Sequence, residues 1–455
     1  MNTFLTPLLQ FQRFFLPGLL ALVAWAVWRT VFRKDLAVGL VLYLGLVIIV
    51  DGFMNTGIFL PGLEKGSIRY SELCAAFLLF NRPPLPHENS RRRTVLCLLG
   101  LYFVLLLLSA LRSDPMTAGI FDFRRLIVPQ IVALLVAMRG LRSSVEYRRF
   151  FLCLTALVII VGLFTFWDLF FDRWILKGDM LNYPIYFHNR ELGRFGSFFL
   201  NPNYLGAFTV LVFPATFIWM LNERKPWPRL YAWVGLLALF FCLVETQSRG
   251  PMLAFGVALL LLVFGPTGRI SVRRRLGFFV LFITVFALFM PGFYERATER
   301  FSSLDKETTK EQRSRETMWV DTMSIIEDHP LVGIGFGEQQ YEKVTSDYGF
   351  DAMDNPHNSY LQMAVYAGIP ALAVFLFANG ALLFKAVRLA IRGAATANAP
   401  TIFGQTVGIT GFLVCILTEP SLFTQNVAPV YWVSFGLLLS LTTAPPEAAV
   451  ENTPA

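Results

Sequence analysis

Charged residues are scarce in this chain. Lysine, arginine, aspartate and glutamate together make up 15% of its 455 residues, whereas hydrophobic residues make up 55%. A soluble domain carries about 25% charged residues, because its surface must interact with water. The shortage of charge therefore excludes a soluble globular protein and predicts a polytopic membrane protein whose outer surface faces lipid.

Cysteine and histidine are also scarce, and the two common nucleotide-binding motifs are absent from the sequence. The five cysteines fall within apolar runs without the close spacing of metal ligands, so the sequence predicts neither a disulfide framework nor a metal site. Neither a P-loop motif nor a GxGxxG fingerprint occurs, which argues against ATP hydrolysis. The net charge of +8 is spread over many short segments rather than one patch, so no nucleic-acid partner is expected.

Long apolar runs are abundant instead. A membrane-spanning helix needs about 20 mostly apolar residues. The runs predict an all-α fold, a polytopic transmembrane helical bundle of about 12–13 spans. The third run is short and carries Arg69 and Glu72, so the number of spans and the side of the N-terminus stay open. The runs are 14–32, 36–54, 68–81, 94–112, 121–138, 150–170, 204–221, 230–247, 251–267, 277–293, 359–388, 401–418 and 429–443.

Clusters of lysine and arginine recur in every second gap between these runs. Positively charged loops stay on the cytoplasmic side of a membrane, so we expect these gaps to be cytoplasmic and the others to face outward. Two outward gaps are long, 171–203 and 294–358, and the second holds fourteen acidic against seven basic residues. We expect one transmembrane domain over 1–445, followed by a disordered cytoplasmic tail at 446–455.

The first long outward loop contains one outstanding cation, Arg194. It is followed by Asn201, Pro202 and Asn203, which predict a turn and the start of a helix. Asn201 and Asn203 are therefore either capping residues or weaker candidates for a binding site.

A short outward turn, T-Q-S-R-G at 246–250, carries Arg249 at the edge of a span. A charge near a span is costly, so this side chain either extends to the interface or lines a polar cavity and binds an anion. In the second case, Glu245 would orient Arg249 through a salt bridge.

The second long outward loop begins with an amphipathic helix. Trp319, Met323 and Ile326 are spaced to share one face, and Arg315 lies one turn earlier on that face. Glycines at 333, 335 and 337 indicate a tight backbone path or a phosphate cradle. His329, before Pro330, is expected to be a helix-end residue.

His357 lies in the polar segment N-P-H-N-S-Y-L, residues 355–361, at the edge of a span. Unperturbed histidine has a pKa of about 6.5, so its neutral form can accept a proton near neutral pH. Arg194, Arg249 and His357 come from three gaps that are all predicted on one side of the membrane. Two guanidiniums and one base suit a reaction that displaces a phosphate leaving group.

These segments resemble the bacterial O-antigen ligase and O-antigen polymerase superfamily of inner-membrane glycosyltransferases. The resemblance covers about residues 190–370, and the first 150 residues match only as spans. The matching motifs are G-R-F-G-S-F-F-L-N-P-N with Arg194, S-R-G at 248–250, R-E-T-M-W at 315–319, D-H-P-L-V-G-I-G-F-G at 328–337, and P-H-N-S-Y-L-Q at 356–362 followed by Ala367, Gly368 and Ile369.

The resemblance implies a large bundle with a partly helical periplasmic loop over the active-site cavity. It implies inverting, metal-independent transfer of a glycan from undecaprenyl pyrophosphate to an acceptor hydroxyl, with no cofactor. Arg194 and Arg249 would bind the pyrophosphate, and His357 would act as the base or position the acceptor. Arg315 is a weaker candidate for the donor site, and Asn358 and Tyr360 are adjacent candidates that would orient His357 or contact the glycan.

Several functions remain open at this point. The acceptor would be lipid A–core oligosaccharide in a ligase, a second lipid-linked glycan in a polymerase, or a protein hydroxyl in an oligosaccharyltransferase. The ligase is ranked first because the large outward loop lies late in the chain. A polysaccharide or lipid transporter is the alternative from a different class, and it would use acids within the spans: Asp51, Glu72, Glu245 and Glu419.

Overall fold

The structure, a computed structural model, is almost entirely helical. Within the described residues there is one small sheet, in which β1 (Ile58–Phe59) pairs with β2 (Ser67–Ile68) antiparallel. The prediction of an all-α polytopic membrane protein is confirmed. The structure describes residues 22–31, 33–53, 58–59, 67–81, 90–141, 143–170, 194–265, 270–289, 308–350, 354–392 and 398–443.

Every predicted apolar run coincides with helix in the described part of the chain. The run at 121–138 is divided, because a π-helical turn at Phe123–Ile127 joins two shorter helices. The helices are α1 Leu22–Val31, α2 Leu36–Gly45 (extended by a π-helix, Leu46–Phe53), α3 Tyr70–Asn81, α4 Ser90–Leu111, α5 Met116–Asp122, α6 Val128–Ala137, α7 Ser144–Phe170, α8 Pro202–Asn222, α9 Pro226–Thr246, α10 Arg249–Phe264, α11 Val272–Phe289, α12 Thr308–Asp328, α13 Glu338–Asp347, α14 Ser359–Arg392, α15 Ala399–Cys415 and α16 Ala428–Thr443.

Five of these helices are long and apolar enough to cross a membrane. They lie at Arg93–Leu111, Ser144–Leu169, Pro202–Asn222, Pro226–Thr246 and Ser359–Arg392. The remaining apolar helices are shorter, which is expected where spans are broken or surrounded by other helices. The residues before 22 and after 443 lie outside the described part, and so does the predicted tail at 446–455.

Helix α8 lies at the centre of the bundle. Of its most apolar stretch, 89% is buried, as expected for a helix that is hydrophobic all round. It packs closely against α15, where Gly404 and Gly408 form a GxxxG pair. A Cβ at Gly404 would meet the backbone of Ala215, and a Cβ at Gly408 would meet that of Leu211. Small residues allow two spans to approach this closely without a hydrophobic driving force.

The gaps predicted to be cytoplasmic meet at one end of the bundle. Asp35 accepts from Arg29 at 2.5 Å and from Arg149 at 3.1 Å, which joins the gap before α2 to the start of α7. Arg148 pairs with Glu223, beyond the end of α8, at 2.6 Å. The alternation of charge along the sequence therefore correctly grouped the three gaps that these contacts join. We call this end of the bundle the basic end.

The second long loop is partly helical in its described residues, as predicted, and contains α12 and α13. Its buried face differs from the predicted one. Ile326 is buried as predicted, together with Met318, Thr322 and Ile325, whereas Met323 is 44% exposed. The centre of the buried face is therefore shifted by about one residue from the predicted one. Thr322 belongs to the buried side because its hydroxyl shares a hydrogen bond of 2.7 Å with Tyr341 of α13.

The glycines at 333 and 335 permit a close backbone crossing, so a phosphate cradle is not formed there. Helix α14 is interrupted at Gly368, whose φ is 84°. The segment 330–335 runs along this break. Ile334 N–H donates to the Val365 carbonyl at 2.9 Å and Gly335 N–H to the Tyr366 carbonyl at 3.2 Å. A Cβ at Gly333, where φ is 64°, would meet the Tyr366 backbone.

Candidate active site

A polar cavity of about 250 Å³ lies at the end of the bundle opposite to the basic end, where α8 and α10 begin. We call it the arginine cavity. It gathers side chains from four separate stretches of sequence, and three of its lining residues are arginines. The lining residues are Arg194, Asn203, Gln247, Ser248, Arg249, Gly250, Leu253, Arg315, Thr418 and Glu419.

Arg194 is held in a fixed direction. Its Nη2 donates to Asn203 Oδ1 at 2.7 Å, and its Nε donates to the Thr246 carbonyl at 3.3 Å. The next residue, Phe195, donates its backbone N–H to the Glu245 carbonyl at 3.0 Å. These contacts tie the segment to the end of α9, so the guanidinium is oriented before any ligand arrives.

Asn203 connects the segments around the cavity. Its Oδ1 accepts from Arg194 and from Ser248 Oγ at 2.5 Å, and its Nδ2 donates to Glu419 Oε2 at 2.8 Å. Asn201 has a different role. Its side chain accepts from the Asn203 N–H at 2.9 Å and caps α8, as the Asn-Pro-Asn pattern predicted.

Arg249 begins α10 and its side chain is exposed to the cavity. Within the described residues it forms no ion pair, so the predicted salt bridge with Glu245 is absent. Gln247, two residues earlier, has a φ of 47° and turns the chain from α9 into α10. The helix N-terminus adds partial positive charge to this wall, which favours an anion. A Cβ at Gly250 would clash with Thr418, so this turn is close-packed.

Arg315 contacts the only acidic residue among those that line the cavity. Its Nη1 lies 3.8 Å from Glu419 Oε1 and 3.5 Å from the Thr418 carbonyl. Glu419 is 2% exposed. The lining residues thus carry three positive charges and one negative charge, and the excess positive charge suits an anionic ligand.

His357 lies beside the arginine cavity and is not one of its lining residues. Its backbone adopts a φ of 48°, and its N–H donates to Asn355 Oδ1 at 3.0 Å. The preceding carbonyl, of Pro356, accepts from Trp319 Nε1 at 2.9 Å. Ser359 Oγ donates to the Glu419 carbonyl at 2.8 Å. The loop is therefore fixed on one side to the helix of Arg315 and on the other to Glu419.

Asn358 and Tyr360 have structural contacts. Asn358 Oδ1 accepts from the backbone N–H groups of Tyr360 and Leu361, at 2.9 and 3.2 Å, and so caps α14. The Tyr360 hydroxyl donates to the Leu413 carbonyl at 2.7 Å. Neither contact is with His357 or with the arginine cavity. His329 lies at the end of α12 and is exposed, as expected of a helix-end residue.

Two contributors to the site were missed from the sequence. Ser248 was regarded only as a neighbour of Arg249, and Glu419 only as an acid within a span. The available signal was the pair Glu419-Pro420, which interrupts the apolar sequence between the last two predicted spans. Among the described residues, no group of three or more His, Cys, Asp or Glu side chains is arranged to hold a metal ion.

The fold and the cavity define a multi-pass membrane protein with a cationic site at one end of its bundle. A family model described as O-antigen ligase matches residues 234–376. This match supports the predicted similarity to the O-antigen ligase superfamily over that segment, and the family implies an enzyme of the ligase or polymerase type. The matched segment contains Arg249, Arg315 and His357, and Arg194 precedes it. No curated protein matches the chain.

Proposed function

We propose that this protein is a glycosyltransferase that moves a glycan from undecaprenyl pyrophosphate to an acceptor hydroxyl at the periplasmic face of the bacterial inner membrane. The family supports lipid-linked glycan and acceptor substrates in general. The observation that carries the specific donor is the convergence of three guanidiniums in one cavity. Guanidiniums bind phosphate oxygens through paired hydrogen bonds, and a pyrophosphate presents several such oxygens.

The three arginines would contribute unequally. Arg249 is exposed and forms no ion pair within the described residues, so it would bind the pyrophosphate without losing a protein partner. Arg194 would supply a second contact in a direction set by Asn203. Arg315 would move from Glu419 to the ligand, because at 3.8 Å their contact is long for an ion pair and Glu419 keeps the hydrogen bond from Asn203.

The proposed chemistry is a single displacement. Neutral His357 removes the proton from the acceptor hydroxyl, and the acceptor oxygen attacks the anomeric carbon from the face opposite the pyrophosphate. The bond from that carbon to the pyrophosphate oxygen breaks, and undecaprenyl pyrophosphate leaves with the electron pair. One displacement inverts the anomeric centre. The arginines stabilise the charge that develops on the leaving group, so the scheme needs neither a metal ion nor a nucleotide.

The position of His357 supports this division of labour. A residue that activates the acceptor should lie next to the pyrophosphate site without occupying it. The two contacts that flank His357 lead to α12, which carries Arg315, and to Glu419 of the cavity. The loop therefore holds His357, which would act on the acceptor, beside the arginines that would bind the donor.

The transporter alternative gains no support from the acids it would need. Asp51 accepts from the Ser71 N–H at 3.2 Å, and Glu72 pairs with Arg124 at 3.3 Å. Glu245 ends α9 and Glu419 lines the arginine cavity. Asp51, Glu72 and Glu245 lie toward the cavity end of their helices, and Glu419 lies in the loop after α15. The four acids therefore do not form a path through the middle of the membrane.

Transfer by the purified full-length protein tests the proposal. The donor is a synthetic undecaprenyl-pyrophosphate glycan, and the acceptors are lipid A–core, a second lipid-linked glycan and a serine-containing peptide. We expect the lipid A–core product, which favours a ligase over a polymerase or an oligosaccharyltransferase. His357→Ala should lower the rate by about 10²–10⁴, the usual contribution of a general base.

His329→Ala is the matched control, because His329 is an exposed histidine on the same loop. It should transfer at the wild-type rate. Wild-type activity in His357→Ala, with equal amounts of folded protein, would reject the role of His357 as the general base. If the wild type transferred the glycan to none of the three acceptors, the proposed glycosyltransferase activity would be rejected.

A further inference from the structure

A second cavity, of about 450 Å³, lies at the far end of α14 from the arginine cavity. We call it the basic groove. Helix α14 has 34 residues, so at 1.5 Å per residue its two ends are up to roughly 50 Å apart. The groove is therefore separate from the proposed pyrophosphate site. Its lining residues, from α4, α14 and α16, are Thr94, Val95, Ala381, Leu382, Phe384, Lys385, Arg388, Leu389, Arg392 and Leu439.

The mouth of the basic groove is positively charged. Lys385, Arg388 and Arg392 follow the spacing i, i+3, i+7 and so share one face of α14. Arg388 stacks on the ring of Phe384, with 4.4 Å between the guanidinium carbon and the ring centroid. No acidic residue is among the residues that line the groove.

The walls of the groove are apolar and lead to the lipid-facing surface. Leu382 and Leu439 are each 1% exposed and form its floor. Farther from the basic end, on the same faces of α4 and α14, Leu101 is 47% exposed and Phe377 is 68% exposed. An elongated apolar ligand could therefore continue from the groove along these helices.

We propose that the basic groove binds an anionic phospholipid from the leaflet at the basic end. The phosphate would lie among the three cations, and an acyl chain would lie along Leu382, Leu439 and the exposed apolar faces. A free phosphate would leave the apolar walls without a ligand, and a neutral lipid would leave the cations without one. Basic pockets between spans favour anionic lipids by this combination of charge and apolar area. This binding site does not depend on the proposed transferase activity.

Native mass spectrometry of the full-length protein tests this site. The protein in detergent is mixed with equal amounts of phosphatidylglycerol and phosphatidylcholine of identical acyl chains. We expect at least fivefold enrichment of the phosphatidylglycerol adduct on the wild type. The double variant Arg388→Gln and Arg392→Gln should lose this enrichment because it removes two of the three cations.

A second variant keeps the charge and fills the space. Ala381 lines the groove, and Ala381→Phe should lower adduct formation for both lipids while leaving all three cations in place. Arg273→Gln is the matched control, since Arg273 is an exposed arginine outside the groove. It should bind phosphatidylglycerol like the wild type.

Three results would overturn the proposal. The first is equal retention of the two lipids by the wild type. The second is unchanged enrichment in the double variant, or an unchanged amount of lipid adduct in Ala381→Phe. The third is displacement of the phosphatidylglycerol adduct by inorganic phosphate, which would make the groove a site for free anions.

Discussion

The two ends of the bundle both collect arginines, but they use them differently. At the basic end, Asp35 is shared by two arginines, and Arg148 is paired with Glu223. At the cavity end, Arg194 is held by an amide oxygen and a carbonyl, and Arg249 has no ion pair within the described residues. An arginine without an ion pair, as Arg249 is among the described residues, keeps its full charge for a ligand, whereas an arginine paired with a carboxylate does not.

Arg275 illustrates the structural use of arginine. It is 1% exposed, and its Nη1 donates to the carbonyls of Leu262 and Gly265, both at 2.8 Å. These carbonyls lie at the C-terminal end of α10, where a cation also interacts favourably with the helix dipole. Arg249, at the other end of the same helix, faces the cavity. Helix α10 is therefore capped at its C-terminal end by a structural arginine from α11, and it begins with an arginine that faces the cavity.

Among variants that compare the two ends, the largest effect is expected at Arg249. Arg249→Ala should lower transfer from the lipid-linked donor by about 10²–10³, because a charged contact to the developing leaving group is lost. Arg274→Ala at the basic end, measured in the same assay, should retain wild-type activity per amount of folded protein. Equal losses in the two variants would show that the difference between the two ends has no functional meaning.

Arg275 should matter for stability instead. Arg275→Met should lower the free energy of unfolding by about 2 kcal/mol, because the carbonyls of Leu262 and Gly265 lose their donor in a buried place. Thermal unfolding in detergent measures this effect, with Arg273→Met, an exposed neighbour, as the control. Activity per amount of folded protein should be unchanged, and a selective loss of activity would assign Arg275 to the site.

Asn203 tests the preorganisation of the arginine cavity. Asn203→Ala removes the oxygen that holds Arg194 and the amide that holds Glu419, so donor binding should weaken about tenfold, or 1.4 kcal/mol. The loss should appear mainly as a higher KM for the donor. Asn201→Ser, which keeps a side-chain cap on α8, should leave KM unchanged. An unchanged KM in Asn203→Ala would mean that Arg194 needs no positioning.

The smallest effect is expected at Arg149. This side chain is 46% exposed and is the second arginine on Asp35, which still has Arg29. Arg149→Gln should change the free energy of unfolding by less than about 1 kcal/mol, the usual limit for an exposed ion pair. Thermal unfolding beside the wild type measures it. A much larger loss would show that the basic end depends on the network as a whole.

The helices and their grouping at two ends could be predicted from the sequence because both depend on local information. An apolar run predicts a span, and alternating basic gaps predict which gaps lie together. The residues of the arginine cavity were less accessible. The sequence predicted Arg194 and Arg249 on one side of the membrane, with Arg315 as a weaker candidate for the same donor site, but only the fold shows that all three line one cavity.

The missed features depend on partners distant in sequence. Glu419 belongs to the cavity because Asn203, 216 positions earlier, donates to it. Thr322 is polar by composition, yet its bond to Tyr341 makes it a buried residue and rotates the face of α12. The glycines after α12 could equally have cradled a phosphate, and only the break in α14 shows that they allow a backbone crossing. No local pattern contains such information.

The crossing at Gly368 has a mechanical consequence for the outer loop. The Ile369 N–H donates to the Pro330 carbonyl at 2.8 Å, and with the bonds from Ile334 and Gly335 it joins the loop to a spanning helix through main-chain atoms alone. Apart from substitutions at Gly333 and Gly368, where a Cβ would meet the opposing backbone, exchanging side chains leaves these bonds in place. If the loop rises to admit a bulky glycan, segment 330–335 stays in place, and α12 has to pivot at its junction with that segment. Arg315, carried by α12, would then move away from the cavity as the entrance opens and return as it closes.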